Sequence, residues 1–236
     1  MAPTVLFVPG FWEGPTVFDK VTSLLTENGV RGEVAVLRST GTTSPGNPGM
    51  KDGEDILLVL HSAGGFLGSE ALQGLDKRPR GEQPGVVSIV FLAAAVYAEG
   101  FQHQPLPFAA VEGGSSSCVQ PETLLFGDLP EAEKAEWLTA IKTQPAEGWD
   151  DTVSYTGWKD VPSVYLICEG DNALPIPLQE QLAGLAGSEI ERCSAGHLPM
   201  LSQPEVVVRV VQAALARQPW PGNLEGTMDN CSTTRI

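Results

Sequence analysis

Four runs of the chain are apolar almost without interruption: residues 5–8, 56–60, 86–92 and 164–167, rich in Val, Leu and Ile. Strict alternation would mark strands with one wet face, whereas continuous apolar runs mark strands covered on both faces, as in a parallel sheet between helix layers. Residues 34–37 and 190–193 are weaker runs of the same kind. Helical spacing separates these runs. It predicts a helix over 17–27 with Phe18, Val21, Leu24 and Leu25 on one face, and further helices over 65–75, 178–186 and 205–217. Strands alternating with helices predict an α/β fold, a doubly wound and mostly parallel sheet. No internal repeat is present.

Three stretches break the alternation. Residues 97–155 carry Pro, Gly and a Ser115-Ser116-Ser117 cluster before a helical pattern over 131–142, which reads as a small helical cap inserted over the carboxyl edge of the sheet. Residues 219–236 lack periodicity and are expected to form a loosely ordered tail beyond a single domain spanning 1–218. Between 37 and 55, Gly and Pro forbid a helix of useful length. A parallel crossover is normally helical because the helix covers the sheet face, so some apolar surface is expected to be left uncovered there.

Composition narrows the function. A net charge of -15 with only 14 Lys and Arg excludes nucleic acid as the expected partner, because phosphate binding needs clustered cations. No run approaches the roughly 20 apolar residues of a membrane span, and the opening run lacks a basic flank. Cys118, Cys168, Cys193 and Cys231 show no C-x-x-C pairing and read as reduced thiols. A cytoplasmic protein of 236 residues is the expectation, its oligomeric state open.

The strongest chemical signal is Ile56-Leu-Leu-Val-Leu-His-Ser62-Ala-Gly-Gly65, a strand running into a serine and then into small residues that open a helix. On such a turn the serine oxygen projects from the sheet, the context of a nucleophile elbow. Leu60 replaces the usual first glycine of G-x-S-x-G. The alternative is a serine that only caps the helix. A hydroxyl needs a base within hydrogen-bond reach to become nucleophilic, and the chain has three histidines. His61 is expected to point into packing, and His103 to lie in the cap at the surface or against substrate. His197 sits in Cys193-Ser-Ala-Gly-His-Leu-Pro-Met200, a loop after the last strand, where a base belongs. The orienting carboxylate falls on Asp171, just past the run 164–167, with Glu169 as rival. The order Ser, Asp, His is that of α/β-type hydrolytic triads.

An oxyanion formed at Ser62 needs backbone donors, and the amides of Phe11 and Ala63, with help from Gly10, occupy the expected positions. An ordinary Pro-Gly turn with aromatic packing explains the Phe11 loop equally well. Gly64-Gly65 and Gly113-Gly114 lack the Lys-Ser/Thr sequel of a phosphate loop. Glu131, Glu133 and Glu136 read as a solvated helix face, and the histidines never recur at metal-ligand spacing.

The motifs V-P-G-F-W, L-H-S-A-G-G-F, V-F-L-A-A-A-V, F-G-D-L-P, S-Y-T-G-W-K-D-V-P-S-V-Y-L-I-C-E-G-D and C-S-A-G-H-L-P-M-L-S resemble the fungal α/β-hydrolase-1 family, itself distantly similar to plant methylesterases and hydroxynitrile lyases. The resemblance runs to about residue 218. It implies a hydrolase fold with a small helical cap, no cofactor, and a triad of Ser62, Asp171 and His197. Relatives often carry a bulky apolar residue at the position of Leu60. They usually have a helix before the serine strand, which the short 38–54 connection lacks. The expected activity is hydrolysis of a small apolar carboxylic ester or lactone through an acyl-serine, in fungal specialised metabolism, with Trp12, Phe101, Phe108 and Trp137 lining the pocket. The alternatives are lyase or isomerase chemistry by the same Ser-His pair, and a non-catalytic binding protein of the same fold.

Overall fold

Within each apolar run, neighbouring side chains meet opposite faces of the sheet, so two cores form rather than one. In the computed structural model, which describes residues 3–37, 39–40, 54–76, 83–147 and 152–217, six strands form one sheet. They are β1 (Thr4–Val8), β2 (Gly32–Val34), β3 (Ile56–His61), β4 (Val86–Leu92), β8 (Ser163–Cys168) and β9 (Glu189–Cys193), in the order β2-β1-β3-β4-β8-β9. Every neighbouring pair is parallel. On one face Phe7, Leu57, Val59 and Val90 pack against Val21 and Leu25 of α1 (Asp19–Glu27) and Val207 and Val211 of α6 (Pro204–Ala216). On the other, Leu58, Leu60, Phe91 and Tyr165 meet Leu182, Ala183 and Ala186 of α5 (Ile176–Ala186), together with Leu72 and Trp158. Each fully buried aliphatic or aromatic side chain contributes roughly 1.5–3 kcal/mol. The two helix-covered faces make the sheet doubly wound, as its continuous apolar strands required.

Boundaries moved where local geometry overrode the pattern. The edge strand β2 pairs through Gly32–Val34 rather than 34–37, because the register Val5↔Gly32 and Phe7↔Val34 exhausts most of β1. Helix α2 (Gly64–Glu70) stops well short of 75. Its continuation tightens into three-residue turns, with Leu72 N donating to Ser69 O and Leu75 N to Leu72 O, and ends at Gly74 with φ +73°.

The stretch between β4 and β8 is not purely helical, which corrects the helical cap expected there. It holds short α3 (Pro121–Leu124) and α4 (Glu131–Ala140), and also an antiparallel sheet of β5 (Ala109–Glu112), β6 (Ser115–Cys118) and β7 (Gln144–Pro145). Gly113 and Gly114, both at positive φ, make the two-residue turn between β5 and β6. The missing crossover helix and the loose tail fall on residues outside the described segments. Among the described residues no helix is long and apolar enough to cross a membrane, and Cys118, Cys168 and Cys193 are buried free thiols.

Candidate active site

The parallel sheet brings the carboxyl ends of β3, β8 and β9 together, and the loops that leave those ends carry the serine, aspartate and histidine. Ser62 follows β3 with φ +49°, a left-handed value that costs a residue bearing a Cβ about 1–3 kcal/mol. The turn is held by its own backbone: Ser62 O accepts from Gly65 N at 3.0 Å and from Ala95 N at 2.9 Å. The two glycines that follow are sterically required. A Cβ on Gly64 would lie 2.5 Å from Val8 O, and one on Gly65 2.3 Å from Ala95 O, so α2 threads between the ends of β1 and β4.

His197 lies in the loop after β9, its ring buried at 3% exposure. Its Nε2 is 3.0 Å from Ser62 Oγ and its Nδ1 2.8 Å from Asp171 Oδ2. The other carboxylate oxygen, Asp171 Oδ1, accepts from Ala173 N at 2.7 Å and Leu174 N at 2.9 Å. Asp171 is buried, whereas Glu169, its rival in the sequence, is exposed and paired with Arg192. Burial alone would lower the His197 pKa. The charge and hydrogen bond of Asp171, with the charges of Glu13 and Asp128 added, outweigh it and leave the imidazole more basic than an ordinary histidine. With Asp171 bonded to Nδ1, the second nitrogen is left to face the serine oxygen, an arrangement able to take up the hydroxyl proton.

Ser62 and His197 open into a cavity of about 590 Å³. Phe11 and Ala63, the expected oxyanion donors, line it beside them, as do Trp12 and Phe108. Phe101 and Trp137 do not, correcting their placement in the pocket. Phe101 is 37% exposed and stacks on the outside of Tyr97, ring centroids 4.1 Å apart, and Trp137 of α4 packs against the main core. Phe66, Tyr97, Leu106 and Leu125 complete an apolar wall that the sequence did not single out. His103 faces the same cavity among Phe66, Tyr97 and Phe101, where burial lowers its pKa against the opposing charge of Glu70.

Gly10 does not serve as a third oxyanion donor, because its amide donates to Glu13 Oε2 at 3.0 Å. Its use is steric: a Cβ there would come within 2.7 Å of Ser62 Cβ. Three more polar residues at the site were given no role by the sequence. Glu13 is buried and bonds His61, whose side chain is in a hydrogen-bonded pair rather than in apolar packing. Asp128, from the stretch between β4 and β8, accepts from Gly196 N at 2.5 Å and so braces the loop of His197. Gln179 of α5 bonds both the amide and carbonyl of Cys168 and the carbonyl of Leu174, fixing the loop of Asp171. Glu13, His61 and His197 each bring one possible ligand atom within 4.8 Å of the others. Hydrogen bonds already join Glu13 to His61, and His197 to Ser62 and Asp171, which accounts for the cluster without a cation.

A six-stranded parallel sheet between helices, with serine, aspartate and histidine on loops at the carboxyl ends of its strands, defines an α/β hydrolase. A profile of the Alpha/beta hydrolase family matches residues 30–210, and this chain belongs to that family. It is 30% identical to the alpha/beta hydrolase nvfD of Aspergillus novofumigatus over 244 residues, covering 91% of this chain and 97% of that protein. It is 25% identical to Methylesterase 10 of Arabidopsis thaliana over 195 residues, 71% of this chain and 69% of that one. Among solved structures, a pyrethroid hydrolase from Sphingobium faniae JZ-2 superposes with a TM-score of 0.72 at 18% identity, over 92% of this chain and 98% of that one.

Proposed function

We propose that the protein hydrolyses a small, apolar carboxylic ester or lactone, with Ser62 as nucleophile, His197 as general base and then general acid, and Asp171 as the carboxylate that orients it. The observation that carries this reading is the unbroken hydrogen-bond chain from Asp171 Oδ2 through His197 to Ser62 Oγ, ending at an apolar cavity. In the first step Nε2 takes the hydroxyl proton as Oγ attacks the carbonyl carbon, and the amides of Phe11 and Ala63 receive the negative charge. Collapse of the tetrahedral species expels the alcohol, protonated by His197, and leaves acyl-Ser62. Water activated by the same imidazole then releases the acid. The low polarity of Phe66, Tyr97, Leu106, Phe108 and Leu125 suits uncharged substrate groups. The relatives include a methylesterase and a pyrethroid hydrolase, which supports ester cleavage.

Turnover of short-chain p-nitrophenyl esters by the purified protein tests the reading, with Ser62→Ala as control. Equal rates for the two proteins would defeat it. Conversion of a cyanohydrin or β-keto compound without any acyl-serine would place the same pair in lyase chemistry instead.

A further inference from the structure

Behind the Ser62-His197-Asp171 chain lies a second buried histidine and carboxylate that the reaction steps above do not use. Glu13 and His61 are 4% and 0% exposed. Glu13 Oε2 is 2.9 Å from His61 Nδ1 and accepts the Gly10 amide at 3.0 Å. His61 Nε2 is 2.8 Å from the backbone carbonyl of His197, and the two imidazole rings lie 4.9 Å apart. Both ring nitrogens of His61 thus face oxygen acceptors. The carbonyl can only accept, so Nε2 carries a hydrogen, and the Nδ1–Oε2 contact is made with the shared hydrogen on either partner. A buried polar pair is weak evidence for stability, since well-packed apolar residues of similar volume are often as stable or more so. What this pair does have is position. Its bonds end on the backbone of Gly10, which touches Ser62 and precedes Phe11, and on the backbone of His197 itself, while His61 is the residue before Ser62.

We propose that Glu13 and His61 are positioning residues: one hydrogen-bonded pair ties the Gly10-Phe11 loop, the end of β3 and the His197 loop into a single register, so that oxyanion donor, nucleophile and base meet at fixed distances. The inference rests on the serine-hydrolase reading. Its role is in kcat, because misplacing catalytic groups by about an ångström costs on the order of 100-fold in rate while leaving a remote apolar pocket intact.

The test uses the full chain as wild type, Glu13→Gln, His61→Leu and the double variant, with p-nitrophenyl butyrate as substrate and a burst titration to count competent sites. The expected result is a fall in kcat per titrated site of about 10- to 100-fold in each single variant, KM staying within about threefold, and a double variant no worse than the poorer single one. Single variants with kcat per site near wild type, whatever their melting temperature, overturn the proposal, as do losses that multiply in the double variant. Should the variants not fold, a side-chain proton–nitrogen correlation spectrum of the wild-type protein decides: a slowly exchanging hydrogen on His61 Nε2, as its bond to the His197 carbonyl requires, supports the tie, and a lone-pair nitrogen at Nε2 overturns it. A wild type with no Ser62-dependent turnover fails the hydrolase reading itself, whereas an active wild type beside unimpaired pair variants fails only the positioning role.

Discussion

Leu60 Cδ2 occupies the space beside Gly68 so fully that a Cβ on Gly68 would sit 2.4 Å from it. The position two before Ser62, a glycine in the usual elbow motif, holds a buried leucine here, and the close passage of strand and helix is kept by removing the side chain on the helix side. Gly68→Ala therefore forces this packed contact apart and destabilises the fold by about 1–3 kcal/mol. Adding Leu60→Ala to Gly68→Ala costs less than the sum of the two single changes, because the pair shares one space. Urea unfolding of the three variants measures both numbers.

The acid limb of kcat/KM lies above the ordinary histidine value of 6.5, since Asp171, Glu13 and Asp128 outweigh burial and make His197 more basic. The sign follows from the role: the base must be neutral, so activity is lost as pH falls through this raised value. Asp171→Asn lowers kcat by about 10⁴-fold and moves the limb to lower pH, because the strongest of those charges is gone. A pH-rate profile of both proteins checks it.

Gln179→Leu strands the Cys168 amide and the Leu174 carbonyl, and leaves the Cys168 carbonyl only the Asp171 amide as donor. Buried polar groups without partners cost about 1–3 kcal/mol each, so stability falls by at least that amount. Turnover per folded molecule also falls, since Asp171 rides on the loop between those two anchors. Denaturant melts and site-titrated kcat separate the two effects.

Phe108→Ala raises KM for a hexanoate ester by about tenfold or more, the effect of removing most of an aromatic ring from the cavity wall. Trp137→Ala leaves that KM unchanged and lowers only stability, because its ring packs against the core away from the cavity. Steady-state kinetics over a series of acyl chain lengths distinguishes them.

The central strands were readable because β3, β4 and β8 are apolar on both faces, a pattern few other elements produce. The convergence of Ser62, Asp171 and His197 was readable because each follows a strand, and a parallel sheet carries all such ends to one edge. Pocket walls were harder. Phe101 and Phe108 have the same chemistry and lie in the same stretch after β4, and only the tertiary path turns one outward and the other in. The hairpin at Gly113-Gly114 left a local signal in its glycine pair, but Ser115-Ser116-Ser117 hid the strand that follows, because serine favours turns when read alone. Neither Glu13 nor Asp128 revealed a role, although Asp128 stands in the F-G-D-L-P motif: a lone carboxylate reads as solvated surface until its buried partners are found beside it.

The most direct measurement is mass spectrometry of the protein after reaction with a fluorophosphonate. One adduct per chain, on the peptide carrying Ser62, and its loss in His197→Ala are the results predicted. An unlabelled Ser62 in protein that still cleaves esters, or undiminished labelling without the imidazole, would contradict the assignment.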